Sequence, residues 1–463
     1  LSSPPPRPDA GGATFSHPDY SRKWYVMAAV AMGIFLATID GSIVNIALPT
    51  LVTELNASFS TIQWVVLAYL LALATLLPSV GRIADIRGKK TIYLTGFVVF
   101  TVGSVLCGLS PTVGWLIGMR VVQATGAAMV LALGPAVLTE AFPPAERGRA
   151  LGISGAVVSI GIITGPTLGG LILGALSWHW IFFVNLPVGL VGLWIAWRYV
   201  PASHPRGGQV FDLAGAAALF VSLLSLLLGL TFGQSRGFGS GTSLSLFALA
   251  VIAMIGFIAI EKRVAQPVVD LRMFRNTAFS INMATGLMTF MALSGIILLL
   301  PFYLEGMRGL SVAQVGLLLG VMPLALGIVS PFSGELSDRF GTRRIAVIGL
   351  TMLLCGFLGL TTLRIDTPLW AYLMRMAVVG AGMGMFQSPN NSGIMGSVAR
   401  ERLGVAAGLL ALTRSMGQSM GIAISGALWT AGVVAMIGVL PAEGAPSAPP
   451  AIQMAAMSRT FMM

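Results

Sequence analysis

The sequence predicts an all-α polytopic membrane protein: two six-helix bundles with two extra central spans, thirteen spans in the 463 residues. Three observations carry this reading. Apolar side chains make up 56% of the chain and charged ones only 9%. A soluble domain is nearer a quarter charged, so the surplus apolar surface has to face lipid. Apolar runs long enough to cross a bilayer recur with short polar breaks between them. A charged loop sequence near residue 85 returns 253 positions later, which marks a duplicated bundle.

Residues 1–23 hold Pro4, Pro5, Pro6 and Pro8 among Ser and Gly, with nothing to bury. They are read as a disordered cytoplasmic tail, without the apolar core and cleavage site of a signal peptide. At about 20 residues per crossing, spans follow at 24–47, 61–80, 91–109, 113–138, 149–175 and 180–199, the N-terminal bundle of residues 24–200. Two additional spans, 211–232 and 243–260, fill residues 201–265. Residues 266–440 supply five helices of the second bundle, at 277–301, 312–333, 345–363, 369–389 and 403–430. Residues 441–463 are an external loop and the start of a last helix too short to cross.

The basic residues test this layout. With the N-terminus in the cytoplasm of a cell (inner) membrane, the cytoplasmic loops and tail hold most of the 27 Lys and Arg. The opposite face holds Arg236, Arg308, Arg364 and Arg459, and Arg120, Arg375 and Arg414 lie within spans. That bias follows the positive-inside rule. It accounts for the net charge of +11 without a nucleic-acid partner, for which no aromatic stacking platform is present. Cys107 and Cys355 sit in apolar runs and His17, His179 and His204 in separate loops, so neither a disulfide framework nor a metal site is indicated. No cofactor is expected. No nucleophile–base pair or phosphate loop points to an enzyme. The expected partners are the lipid bilayer, a small-molecule substrate and protons, and the expected assembly is a monomer.

The repeated loop runs Gly81-Arg-Ile-Ala-Asp85-Ile-Arg87-Gly88 and returns as Gly334-Glu-Leu-Ser-Asp338-Arg-Phe-Gly341. Leu48-Pro49 returns as Leu300-Pro301 and Met119-Arg120 as Met374-Arg375. Together with Asp40–Pro49, Leu116–Ala128, Gly161–Gly170 and Trp178–Pro187, these residues resemble the major facilitator superfamily, and most closely its 14-span drug:proton antiporter branch. The likeness runs from Trp24 to Trp429 and departs from the family pattern at Ala124, where glycine is usual. It implies export of drug-like, amphipathic or cationic compounds in exchange for protons, and one more span after Pro450. A transporter of one defined metabolite, or a membrane scaffold reusing the fold, are the competing readings.

Asp40 is the most informative single residue, since an acid about five turns into an apolar run is expensive unless it is paired or protonated. It is read as a proton-coupling or substrate-contacting group; the alternative is a static carboxylate tied up in helix packing. Arg120 keeps its proton and needs an acid or carbonyl, unless it snorkels outward. The resemblance gives it a part in proton transfer. Arg375, at nearly the repeat-related place, is expected to line the same cavity from the other half. Further substrate-cavity candidates are Asn45, Glu305, Gln387, Asn390 and Asn391. Asn390 and Asn391 follow Pro389, where the helix is expected to break, and could instead cap it; Glu305 could be a solvated loop carboxylate. Gly81, Asp85, Arg87 and Gly88, with Gly334, Asp338 and Gly341, are read as gating loops in which Asp85, with Arg87 nearby, makes charge-assisted bonds, rather than as loops serving topology alone. Gly161, Gly165, Pro166, Gly169 and Gly170 are read as a helix-contact run, which the resemblance associates with preventing leak; a plain packing kink is the alternative.

Overall fold

The computed structural model describes residues 20–202, 210–438, 445 and 448–462. The expected tail up to residue 19 and most of the external loop at 439–447 lie outside the described residues. Thirteen helices among the described residues are long and apolar enough to cross a membrane, matching the expected number and order. They are α1 (Lys23–Glu54), α2 (Phe59–Arg87), α3 (Lys89–Gly108), α4 (Val113–Ala141), α5 (Arg147–Ala175), α6 (Trp180–Tyr199), α7 (Leu213–Arg236), α8 (Gly241–Glu261), α9 (Thr277–Pro301), α10 (Val312–Phe340, interrupted at Gly320), α11 (Thr342–Thr361), α12 (Leu369–Gly396) and α13 (Leu403–Ile437). A shorter α14 (Pro450–Met462) seats on α13 and α11. Trp429 Nε1 donates to the Gln453 carbonyl at 3.3 Å, and Ser458 Oγ to that of Thr361 at 2.8 Å.

Several helices run past the apolar windows: α1 reaches Glu54 rather than residue 47. Backbone polar groups are cheapest inside a helix, and the chain keeps turning until it meets water. Pro389 does not break α12, which continues to Gly396. Neighbouring helices tolerate a proline inside a membrane span, so Asn390 and Asn391 are interior helix residues rather than caps.

The α2–α3 and α10–α11 turns lie on one face, here the motif face. Both turn on glycines with positive φ, Gly88 at 97° and Gly341 at 90°, a conformation that disfavours any side chain. The halves meet on this face along two seams. Gly81 packs on the Gly404 backbone and Gly408 on Leu77 and Pro78, joining α2 to α13. Gly148 packs on Gly334, and Gly152 and Gly155 on Ser330, joining α5 to α10. Absent side chains let the backbones close.

Away from the motif face the seams part. Gly170 lies on the same stripe of α5 as Gly152, eighteen residues and five turns on, yet nothing stands within 4 Å of its Cβ position. Gly316, eighteen residues before Gly334 on α10, is equally open. The apolar cores divide the same way. One cluster joins α1, α2, α4 and α7 to α12 and α13 through Leu77, Val80, Ile394 and Leu403. The clusters toward the far face belong to one half each, around Phe182 and around Tyr372 and Trp429. The molecule is therefore closed at the motif face and open at the far face. Helices α7 and α8 pack on each other, and α7 leans on α2 and α13 outside that seam.

A Cβ at Gly334 would stand 2.5 Å from the Gly148 carbonyl carbon and 2.8 Å from Arg149 Cα. Gly334→Val is therefore expected to wedge α5 from α10. Spin labels at Ala145 and Phe340, both exposed, should report a longer mean distance than in the parent; an unchanged distribution would show that the seam does not depend on this contact.

Candidate functional site

Asp40 and Arg120 are brought together. Asp40 lies in α1 and is fully buried; Arg120, seven residues into α4, is also fully buried. Arg120 Nη1 donates to Asp40 Oδ2 at 2.6 Å and to Gln123 Oε1 at 2.6 Å, and its Nε donates to the Val65 carbonyl at 3.1 Å. The Tyr69 ring of α2 lies 4.1 Å from the guanidinium carbon, a cation–π contact. The other carboxylate oxygen, Asp40 Oδ1, accepts from Gln123 Nε2 at 2.8 Å and from Asn185 Nδ2 of α6 at 3.1 Å. Both amides also donate to Ser104 Oγ of α3, at 2.5 and 3.2 Å. Five of the first six helices thus contribute side chains to one enclosed ion pair, and α5 supports it from behind. Gly161, Gly165 and Gly169 leave room for Thr38, Ser42 and Ile43 of α1, and Ser42 Oγ reaches the Gly161 carbonyl at 3.2 Å.

The arrangement is close to fully satisfied, which a buried ion pair needs if it is to repay desolvation. Two atoms beside it are not: Tyr69 Oη and Asn185 Oδ1 are buried without a partner.

The carboxylates of the two loops expected to gate meet backbone groups. Asp85, at the end of α2, accepts from the N–H groups of Gly404 at 3.0 Å and Val405 at 2.9 Å, in the first turn of α13. Asp338, at the end of α10, accepts from Gly148 at 2.9 Å and Arg149 at 3.0 Å, in the first turn of α5. Each carboxylate caps a helix of the other half, where unpaired donors and the helix dipole both favour an anion. Arg87 is exposed and has no part in this; the cation paired with Asp85 is Lys89, at 3.3 Å, which also reaches Glu140 at 2.9 Å. Arg87 ends α2 on its exposed side, whereas Lys89 opens α3 after the Gly88 turn and is brought back beside Asp85.

The remaining candidates do not join the pair. Arg375 is spent on its own half: Nε donates to the Gly359 carbonyl and Nη1 to that of Ala371, both at 2.8 Å, and Nη2 to Thr362 Oγ1 at 3.0 Å. It is not a second Arg120, because Leu293 stands 253 positions after Asp40 and supplies no acid. Asn45 is exposed and donates to Gly41 of its own helix at 3.0 Å. Glu305 is exposed in a wide turn, Phe302–Met307, at the far end of α9. Gln387 and Asn391 are half-buried, and Asn390 is 3% exposed. Pro166 and Gly170 face open space, whereas Gly161, Gly165 and Gly169 face α1. Sequence reasoning passed over Gln123, Asn185, Ser104 and Tyr69. Gln123, one turn from Arg120, was the one with a local signal.

The Major Facilitator Superfamily profile matches residues 30–422. The riboflavin transporter RibZ of Clostridioides difficile is 34% identical over 405 residues, 87% of each chain. The multidrug transporter MdtP of Bacillus subtilis is 31% identical over 412 residues, 89% of this chain and 76% of its own. Among solved structures, that of the human organic anion transporter MFSD10 aligns with a TM-score of 0.65 over 96% of this chain and 98% of its own; at 14% identity this likeness concerns the fold alone.

Removing one member of a buried ion pair leaves the other uncompensated, at a cost of about 3–5 kcal/mol. Asp40→Asn and Arg120→Gln should each lower unfolding stability by roughly that amount, and the double variant by clearly less than their sum. Additive losses in a double-mutant cycle would show that the two groups do not depend on each other.

Proposed function

Because the chain belongs to the Major Facilitator Superfamily, we propose that it exports small amphipathic organic molecules in exchange for protons, by alternating access of two bundles, residues 24–200 and 266–440. The observation that carries the proposal is the Asp40–Arg120 pair, sealed within one half and absent from the other. The bias of the basic residues supports a cytoplasmic motif face and N-terminus, an orientation in which the molecule as described faces outward. A proton arriving from the open side neutralises Asp40 and frees Arg120 from its strongest partner. The contacts of α1 with α4 and α5 then loosen, and the outer face can close as the two motif-face caps release. On the cytoplasmic side Asp40 loses its proton as cargo binds, and the ion pair reforms with the return. Such a cycle fits the name of MdtP and the antiporter-like motifs.

A second reading, transport of one defined metabolite, is supported by RibZ, which is matched at 34% identity over 87% of its length. A narrow cargo profile separates it from multidrug export.

In proteoliposomes with an imposed pH gradient, the parent should drive export and Asp40→Asn should not; full coupled export by that variant would overturn the assignment. Asp85→Asn keeps the ion pair but weakens a charge-assisted cap worth about 1.5–3 kcal/mol. It should shift the motif face toward open and lower flux roughly tenfold or more at equal expression, read by flux and by labelling at the motif face.

A further inference from the structure

We propose that Arg414 is the cargo-binding cation of the C-terminal half and that the cargo carries an anionic group, a carboxylate, sulfonate or phosphate on an apolar body. This rests on the transporter reading and replaces the cationic cargo expected from sequence.

Arg414 lies in α13, eleven residues from Leu403, so about 16 Å from the motif face and near the middle of a ~30 Å hydrocarbon layer. Its side chain is half-buried. Among the described residues no carboxylate, carbonyl or hydroxyl pairs with it. The other arginines within spans are satisfied: Arg120 by Asp40, Gln123 and Val65, and Arg375 by two carbonyls and a hydroxyl. An arginine keeps its charge in any protein environment, and one left open in a span marks a ligand path.

Helix geometry gives its direction. Gly404 and Gly408 pack α13 against α2, and Gly417 packs it against Leu287 and Phe290 of α9. Val405 lines a surface recess of about 880 Å³ on the motif face, with Arg82, Glu261 and Val268, outside the seam. Arg414 is nine residues on, half a turn out of phase at 100° per residue. It therefore points opposite to that recess, into the space between the halves that opens to the far face. Gln418, one turn further on, shares its side of the helix.

A second observation lies at the same depth. Asn390 is 3% exposed, and its Oδ1 is buried without a partner. Its Nδ2 lies 3.3 Å from the Cβ position of Gly286, and the methyl of Thr413, next to Arg414, lies 3.8 Å from that same point. The unpartnered Asn390 amide thus lies beside the turn of α13 that carries Arg414, where α9, α12 and α13 meet. A guanidinium takes a carboxylate through two parallel N–H bonds, and the buried Asn390 Oδ1 beside it is a polar atom still without a partner. In contrast, the acid of the other half, Asp40, is enclosed and already paired, so no free carboxylate of that site faces a cationic cargo.

Binding without any proton gradient separates this proposal from proton coupling. The probes are naphthylacetate, its neutral amide naphthylacetamide, and naphthylethylammonium, titrated into the purified full chain. The carboxylate should bind tightest. Arg414→Gln should weaken it about tenfold or more while leaving the amide within twofold, and Arg414→Lys should keep part of the preference. Equal binding of the three probes, preferred binding of the ammonium, no binding of the carboxylate, or an equal loss for all three in a folded Arg414→Gln protein would each overturn the proposal. Should Arg414→Gln fail to fold, Arg414→Lys and Asn390→Ala decide it: both must weaken the carboxylate more than the amide.

Discussion

A formal charge taken out of water has to be matched, and the architecture follows from how this chain matches Asp40, Asp85 and Asp338. Asp40 and Arg120 meet across 80 residues of sequence and are wrapped by two amides, a hydroxyl and an aromatic ring. Asp85 and Asp338 are matched by backbone, each lying on the open N–H groups of a helix in the opposite half. The first solution fixes the packing of one bundle internally. The second fixes how two bundles meet, and can be undone without unfolding either. Stability and motion are thereby assigned to different groups.

Duplication preserved the second solution and not the first. The two carboxylates stand 253 positions apart and each caps N–H groups in the first turn of a helix of the opposite half, Gly404 and Val405 in one case and Gly148 and Arg149 in the other. They differ in reinforcement: Lys89 backs Asp85, whereas Thr342 stands at the repeat-related place and brings no charge. Lys89, Asp85 and Glu140 all lie in the first half, so this ion pairing steadies the carboxylate without itself bridging the seam. The ion pair has no echo, since neither Ala292 nor Leu293 at the repeat-related place is an acid and Arg375 turns to carbonyls of its own half.

The spans were legible because hydropathy in a membrane leaves few alternatives: a backbone unable to bond water must be helical. Asp40, Arg120 and the two loop carboxylates were legible as charges that composition could not explain. Their partners were less so. Gly404, Val405, Gly148 and Arg149 contribute only N–H groups, which every residue but proline owns, so no residue type announces them. Asn185 comes from a helix 145 positions away from Asp40, and only folding makes them neighbours. The expected break at Pro389 failed because a local rule about proline was applied where tertiary packing decides. The role expected for Arg87 failed because proximity in sequence is not proximity around a helix.

Helix α5 connects the two solutions. Its glycines at 161, 165 and 169 seat it against the α1 turns that carry Asp40, and its first turn is the one Asp338 caps. These points lie on one continuous helix, Arg147–Ala175, with Pro166 inside it. Ser388 of α12 also bonds the Gly148 carbonyl at 2.8 Å, so the same end of α5 is held by two helices of the opposite half. A change in the charge of the Asp40 pair alters what α1 presses on, and the glycine contacts leave no soft side chains to absorb a shift. In the proposed cycle such a shift would be passed along α5 to the end where the halves are joined. With Asp40 as the proton site, its coupling to a cavity shared with the other half would need no side-chain relay between them.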